Sequence, residues 1–294
     1  MNILLLGKTG QVGFELHRTL SPLGNIIAPT RAELDLMSEQ AVTAYLADIK
    51  PDLIVNAAAW TAVDAAEEQQ TEAERLNAAL PAQLAAYAAA KGIRLVHYSS
   101  DYVYPGTGET PWQESSPTGS LSHYGTTKLA GDQAIEQSGA DYLIFRTSWV
   151  YSARGNNFMK TMLRLARDKT ELHIVADQIG APTPARLIAQ VTTLALNSQL
   201  EAGLYNLAPK GETSWHGFAT RIFGLAIDAG EELKLDPDNA NPIPTSAYPT
   251  PAQRPLNSRM DVSKLEQTLG LQMPSWQSQL EVTLGEYLEN RSWR

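Results

Sequence analysis

The stretch Ile3-Leu4-Leu5-Leu6-Gly7-Lys8-Thr9-Gly10-Gln11-Val12-Gly13 runs from four apolar residues straight into three spaced glycines. The apolar run reads as a short strand, and the pattern from Gln11 to Leu20 reads as the helix after it. Between strand and helix each glycine has its own use, for a tight turn, for close approach of backbone to a pyrophosphate, and for close packing of helix on strand. The helix start adds unpaired N–H groups and a positive dipole end. Gly7, Gly10, Gln11, Val12 and Gly13 are therefore candidate cofactor-binding residues. The bland alternative is a tight turn without a ligand, and the position directly after an N-terminal strand weighs against it. A Walker A loop needs a glycine five residues before Gly7, where Asn2 stands.

Working outward, further apolar runs fall at Ile26–Ala28, Leu53–Asn56, Arg94–Tyr98 and Tyr142–Phe145, with shorter ones at Leu172–Val175 and Leu204–Leu207. Helical patterns alternate with them at Ser38–Asp48, Thr71–Lys91 and Tyr124–Gln137; the second is expected to bend or start at Pro81. Strands apolar almost throughout and joined by helices predict an α/β fold, a Rossmann doubly wound parallel sheet. After about Tyr151 prolines break the chain, and Pro237–Arg259 is too proline-rich for regular core structure. We expect a cofactor-binding domain over residues 1–150, also receiving parts of 185–208. A smaller substrate-binding lobe over 151–294 completes the plan, with the ligand in the cleft between.

Composition narrows the function. With 32 acidic against 23 basic residues the net charge is −9, an unfavourable field for a nucleic-acid backbone. No cysteine is present, which excludes disulfides, thiolate metal sites and cysteine nucleophiles. The apolar run at the N-terminus is short and lacks a basic flank, so no signal peptide is expected. Nothing approaches the roughly 20 apolar residues of a membrane span. A cytoplasmic protein without membrane or nucleic-acid partners is expected.

The end of the second strand selects the cofactor. A carboxylate there would hold a ribose 2′-hydroxyl, whereas a basic group favours a 2′-phosphate. Thr30-Arg31 stands there, which predicts NADPH, with NADH the alternative and a solvated surface arginine the bland reading. Asp35 and Leu36 are expected near the adenine. Ala58, Ala59 and Thr61, after the third strand, are expected near its ribose and the phosphates.

Tyr124 and Lys128 lie four apart at a helix start and so share one face. Reducing a ketone needs a hydride and a proton for the nascent alkoxide. A tyrosine can supply that proton when a neighbouring ammonium stabilises its phenolate. The spacing is common in amphipathic surface helices, but Ser100 adds context. It follows the strand Arg94–Tyr98, at the sheet edge where such folds bind ligands, and can hydrogen-bond a carbonyl.

Taken together, Gly7–Gly13, Ser99–Tyr104, Tyr124–Lys128 and Phe145–Tyr151 resemble the extended short-chain dehydrogenase/reductase family. The resemblance continues through Gly155–Phe158, Asp177–Thr183 and Thr245–Pro255, and within the family it is to the dTDP-4-dehydrorhamnose reductases. It implies hydride transfer from NADPH to the C4 ketone of dTDP-4-dehydro-L-rhamnose, the last step of dTDP-L-rhamnose synthesis. It also implies Tyr124 as proton donor, Lys128 as its helper, and Ser100 in place of a hydroxyl residue that is often threonine. Asp101 and Trp149 would line the sugar, and Arg254 would meet the pyrophosphate, with a loop-bracing arginine as the alternative. Some relatives are magnesium-linked dimers held by glutamates. Glu15 matches one such position, but Arg186 stands where another acid is expected, so no metal ligand is assigned. Glu15 is expected to be a solvated helix residue, and the assembly a monomer or homodimer. Another nucleotide-sugar reductase or epimerase, or a non-catalytic NADP-binding regulatory subunit, would share most of these features.

Overall fold

In the computed structural model, which describes residues 1–292 and side chains through Glu289, the opening apolar run is the strand β1 (Asn2–Leu6). Its side chains divide by parity. Ile3 and Leu5 join Val55, Val96 and Phe145 in one cluster, while Leu4 and Leu6 join Ile54, Leu95 and Ile144 in another. A run apolar at every position thus supplies both faces of a covered sheet. The other strands are β2 (Asn25–Ile27), β3 (Leu53–Asn56), β4 (Arg94–Ser100), β5 (Asp141–Thr147) and Gly203–Asn206. All pair in parallel, in the order β2, β1, β3, β4, β5 and Gly203–Asn206. The order reverses between β1 and β3, which opens a crevice at their carboxyl ends.

The helices are α1 (Gln11–Thr19), α2 (Glu39–Ile49), α3 (Gln70–Glu74), α4 (Leu80–Lys91), α5 (His123–Glu136), α6 (Phe158–Asp168), α7 (Ala185–Asn197), α8 (Trp215–Asp228), α9 (Ser263–Leu269) and α10 (Trp276–Ser292). Leu16 of α1, Leu20 at its C-terminal cap, and Ile188 and Val191 of α7 cover one face of the sheet. Val42 of α2, Leu84 and Ala88 of α4 and Ile135 of α5 cover the other. A third cluster lies apart from the sheet, built from Leu163 of α6, Phe218 and Phe223 of α8, and Leu280 of α10. The doubly wound parallel sheet expected from the sequence is therefore present. No helix among the described residues is long and apolar enough to cross a membrane.

Three details differ from the sequence reading. The stretch Thr71–Lys91 is helical throughout but not regular, because Arg75–Ala79 widens into a π turn between α3 and α4. Pro81 lacks the N–H that would close on the Asn77 carbonyl, and its ring crowds that oxygen. The proline-rich segment contributes two short strands, Ala240–Ile243 and Asn257–Ser258, paired to Leu172–Val175 and Ile179–Gly180. Pro242 is tolerated there because a two-stranded sheet has only edge strands. Glu15, expected in solvent, is only 6% exposed. Helix α7 lies across α1, and Arg186 pairs with Glu15 at 3.2 Å and with Glu286 at 2.8 Å. That guanidinium already pairs with both carboxylates and puts a cation where a metal would stand, so this position does not fit a bridging magnesium ion.

Candidate active site

Helix α1 starts at Gly10 with no side chain capping it, which leaves its first-turn N–H groups facing the crevice. A Cβ on Gly13 would lie 2.1 Å from the Gly7 carbonyl oxygen, so only glycine lets the helix sit this close to the turn. These features fit a dinucleotide pyrophosphate. Gln11 Oε1 accepts from Asn157 Nδ2 at 2.9 Å, and the Arg154 guanidinium lies 3.7 Å from the Phe14 ring centre, so a later segment is tied to the cradle.

Across the crevice the loop after β3 is pinned by two asparagines. Asn56 Oδ1 accepts from the Ala58 N–H at 3.2 Å, and buried Asn77 accepts from the Trp60 N–H and donates to its carbonyl. Ala58 and Ala59 are half-buried and Thr61 is exposed. Beyond β2, Thr30 donates its N–H and hydroxyl to Glu33, holding that carboxyl below its usual range. Arg31 and Asp35 are exposed and Leu36 is half-buried.

The reacting end is set by β4 and α5. Ser122 caps α5 by accepting the Gly125 N–H at 3.2 Å. A Cβ on Gly125 would lie 2.3 Å from the Tyr102 carbonyl oxygen, so this glycine lets the helix start meet the turn after β4. Tyr124 therefore packs edge-on against Tyr102, with ring centres 5.4 Å apart. Burial raises the Tyr124 pKa and the Ser100 hydroxyl opposes the rise, so the phenol holds its proton at neutral pH.

Ser100 donates to Asp101 Oδ1 at 3.0 Å and accepts from the Tyr102 N–H. Asp101 is 2% exposed and its Oδ2 closes no hydrogen bond of good geometry. Burial pushes its pKa up to about 6, with the Ser258 and Ser100 hydroxyls offsetting part of the rise. One turn beyond Tyr124, buried Lys128 donates to the Tyr98 carbonyl at 2.6 Å. Burial lowers its pKa to about 8, against the pull of Asp132. Asp132 in turn accepts from Ser99 and pairs with buried Arg146 at 3.0 Å.

The opposite wall is made of loops. Trp149 takes a left-handed φ of 49° and stacks on Trp215 with ring centres 3.7 Å apart. A Cβ on Gly180 would lie 3.0 Å from both the Trp149 and the Ser258 side chains, so this glycine sits between this wall and the Asp101 side. Arg254 pairs with Asp64 at 2.7 Å and reaches the Tyr102 hydroxyl at 3.3 Å. Ser100, Asp101, Tyr124 and Lys128 thus converge at the carboxyl end of β4, with Arg254 one ring away, while Thr30, Arg31, Asp35 and Leu36 lie apart beyond β2.

Sequence reasoning missed Asn56, Asn77, His97 and Trp215. For Asn56 and His97 a signal existed, since His97 interrupts an otherwise apolar strand and Asn56 is the polar residue that ends one. Asn77 and Trp215 act through long-range contacts that carry no local mark.

Residues 1–289 match a family described as the RmlD substrate binding domain. The dTDP-4-dehydrorhamnose reductase of Escherichia coli K12 is 48% identical over 294 residues, covering 97% of this chain and 98% of that protein. The solved dTDP-4-dehydrorhamnose reductase of Clostridium acetobutylicum superposes with a TM-score of 0.90 at 35% identity, covering 98% of this chain and 100% of the other. The Bacillus anthracis enzyme of the same name, solved in complex with NADP, gives 0.89 at 32% identity over 97% and 99% of the two chains.

Proposed function

The chain belongs to the RmlD substrate binding domain family, and on that premise we infer that it reduces the C4 ketone of dTDP-4-dehydro-L-rhamnose to dTDP-L-rhamnose with NADPH. The observation that carries this reading is the meeting of a protonated, buried Tyr124 with Ser100 and Lys128 beside a dinucleotide crevice.

Bound in that crevice, NADPH supplies the hydride. Gly7, Gly10, Gln11, Val12 and Gly13 hold its pyrophosphate through the open start of α1. Thr30 and Arg31 meet the 2′-phosphate, Asp35 and Leu36 the adenine, and Ala58, Ala59 and Thr61 the adjoining ribose. NADH is the alternative donor if Arg31 stays in solvent. Ser100 turns its hydroxyl from Asp101 to the substrate carbonyl, and Tyr124 gives its phenolic proton to the oxygen at C4. Lys128 as an ammonium then stabilises the phenolate.

Asp101 and Trp149 line the sugar. Arg254 meets the substrate pyrophosphate by exchanging its partner Asp64, a bidentate contact suited to a guanidinium. Residues 1–150 with parts of 185–208 carry the cofactor, and the region around the third apolar cluster carries most of the substrate contacts. The chain works in the cytoplasm as a monomer or homodimer without nucleic acid, and the Arg186 pairs argue against a magnesium bridge at Glu15.

The test follows NADPH oxidation by the purified protein with freshly generated dTDP-4-dehydro-L-rhamnose, with the sugar product identified by NMR. Steady oxidation to dTDP-L-rhamnose is expected. Tight NADPH binding without turnover would point to another nucleotide sugar or to a regulatory role.

A further inference from the structure

Behind Lys128 runs a buried polar line that the proton transfer does not use. Asn56 ends β3, His97 lies across from it on β4 in register, and each is 1% exposed. Asn56 Nδ2 donates to His97 Nδ1 at 3.1 Å, and His97 Nε2 lies 3.4 Å from Lys128 Nζ. Burial, with the charge of Lys128 adding, holds the imidazole well below its usual pKa, so the ring is neutral and carries one proton.

The position of that proton follows from the neighbours. In this arrangement the Asn56 amide is oriented by Ala58, whose N–H its Oδ1 accepts at 3.2 Å. Its NH₂ group therefore faces the ring, Nδ1 is an acceptor, and the ring proton sits on Nε2, aimed at Lys128. An N–H aimed at an ammonium is repulsive, whereas a neutral amine has a lone pair to receive it. A protonated Lys128 instead needs a bare Nε2. The ring proton must then sit on Nδ1, which requires Asn56 to turn its Oδ1 to the ring. That turn sets an NH₂ group against the Ala58 N–H and frees Ala58 to donate elsewhere.

Ala58 lies in the loop that borders the crevice at the β1–β3 reversal. We propose that Asn56 and His97 form a two-state hydrogen-bond switch, tying protonation of Lys128 to whether the Ala58 N–H is given to Asn56 or to a bound dinucleotide. A ligand oxygen that takes this N–H favours the ammonium form of Lys128, and protonation of Lys128 favours that ligand to the same degree. His97 is then a positioning residue, delivering a charged lysine when the cofactor is in place. The other groups at Lys128 are the Tyr98 carbonyl of β4, which accepts from Nζ at 2.6 Å in either protonation state, and Asp132 on α5, with Arg146 of β5 and Ser99 of β4 reaching it through Asp132. The inference rests on the reading of Lys128 given above.

The test reads the tautomer directly. The full chain is labelled with ¹⁵N-histidine, and His97 is assigned by replacing the other four of its five histidines in turn. Without ligand at pH 9, Nε2 is expected to carry the proton. On lowering the pH through about 8, or on saturating with NADP⁺, the proton is expected to move to Nδ1 while the ring stays neutral. One tautomer throughout, or a ring that gains a second proton, overturns the switch.

Titration of NADP⁺ binding gives a second readout. His97→Gln presents an amide that can donate or accept without Asn56 turning, so the pH midpoint of the NADP⁺ affinity is expected to shift by about one unit or more, which is at least tenfold in the linked equilibrium. An unchanged midpoint overturns the coupling. Neither measurement needs turnover, so failure of the reductase reading would appear separately in the product assay.

Discussion

The two walls of the cleft are held in different ways. On the sheet wall, Ser100, Tyr124 and Lys128 are fixed by backbone partners and by a close glycine contact, and Lys128 is 2% exposed. On the loop wall, Trp149 and Arg254 are held by side chains brought from distant parts of the sequence, namely Trp215 and Asp64. A group fixed by backbone is ready for proton transfer at one geometry. A group held by another side chain can exchange that partner for a ligand. On the proposed function the first wall carries the chemistry and the second the recognition, so changes on the first are expected in kcat and changes on the second in KM.

The largest effect is expected at Tyr124. Tyr124→Phe removes the proton donor and keeps the ring packed on Tyr102, so kcat should fall by roughly 10²–10⁴ while NADPH binding, followed by fluorescence, is retained. A variant of normal rate would break the assignment of chemistry to the sheet wall.

Asp101 stands at the joint of the walls, and its effect is on stability. Its folded pKa of about 6 lies above the usual 3.8, so the fold favours the protonated form. That contribution is complete below pH 3.8 and is lost as pH rises through about 6. Two units correspond to about 3 kcal/mol, taken as an order of magnitude. Denaturant melts of the wild type and Asp101→Asn should therefore show the wild-type advantage shrinking between pH 4 and 7. A pH-independent difference would mean that Asp101 keeps its charge in the folded protein.

Arg254 separates recognition from bracing. Losing charge-assisted bonds to a pyrophosphate costs about 1.5–3 kcal/mol, so Arg254→Ala should raise KM for the nucleotide sugar roughly 10- to 100-fold with kcat little changed. Arg254→Lys should recover only part of this, because an ammonium lacks the planar fork. If kcat falls and KM holds, Arg254 serves to brace Asp64 and Tyr102, and the comparison of the walls fails on this side.

Legibility followed the same division. The sheet wall was readable because its determinants are local: strand, glycine turn, helix start, and a tyrosine and lysine one turn apart. The unbroken apolar run of β1 decided the sheet, and the Tyr124–Lys128 spacing gave the shared helix face. Glu15 was misread because only the crossing of α7 over α1 buries it against Arg186, and no pattern within α1 marks that crossing. The π turn at Arg75–Ala79 was half visible, since Pro81 marked a break without its form. Trp215 could not be found at all, because its partner Trp149 lies 66 residues earlier in the chain.

Trp215 provides the smallest and most discriminating test. Trp149 adopts a backbone conformation that non-glycine residues enter at a cost of order 1 kcal/mol, and it needs its surroundings to stay there. The Trp215 face supplies that support, and Trp215 is itself anchored by donating to Gln178 Oε1 at 3.0 Å. Gln178 donates onward to Thr245, which gives its N–H and hydroxyl to Asp177. An aromatic pair contributes about 0.5–1.5 kcal/mol beyond its buried area, so Trp215→Ala should raise KM for the nucleotide sugar roughly 2- to 10-fold with kcat within about twofold. Trp215→Phe keeps a stacking face and should stay near wild type. The Ala/Phe contrast is the informative result, since loss of the Gln178 anchor alone would impair both variants equally. A fall in kcat with unchanged KM in Trp215→Ala would move Trp149 from recognition to the chemistry and erase the distinction between the walls.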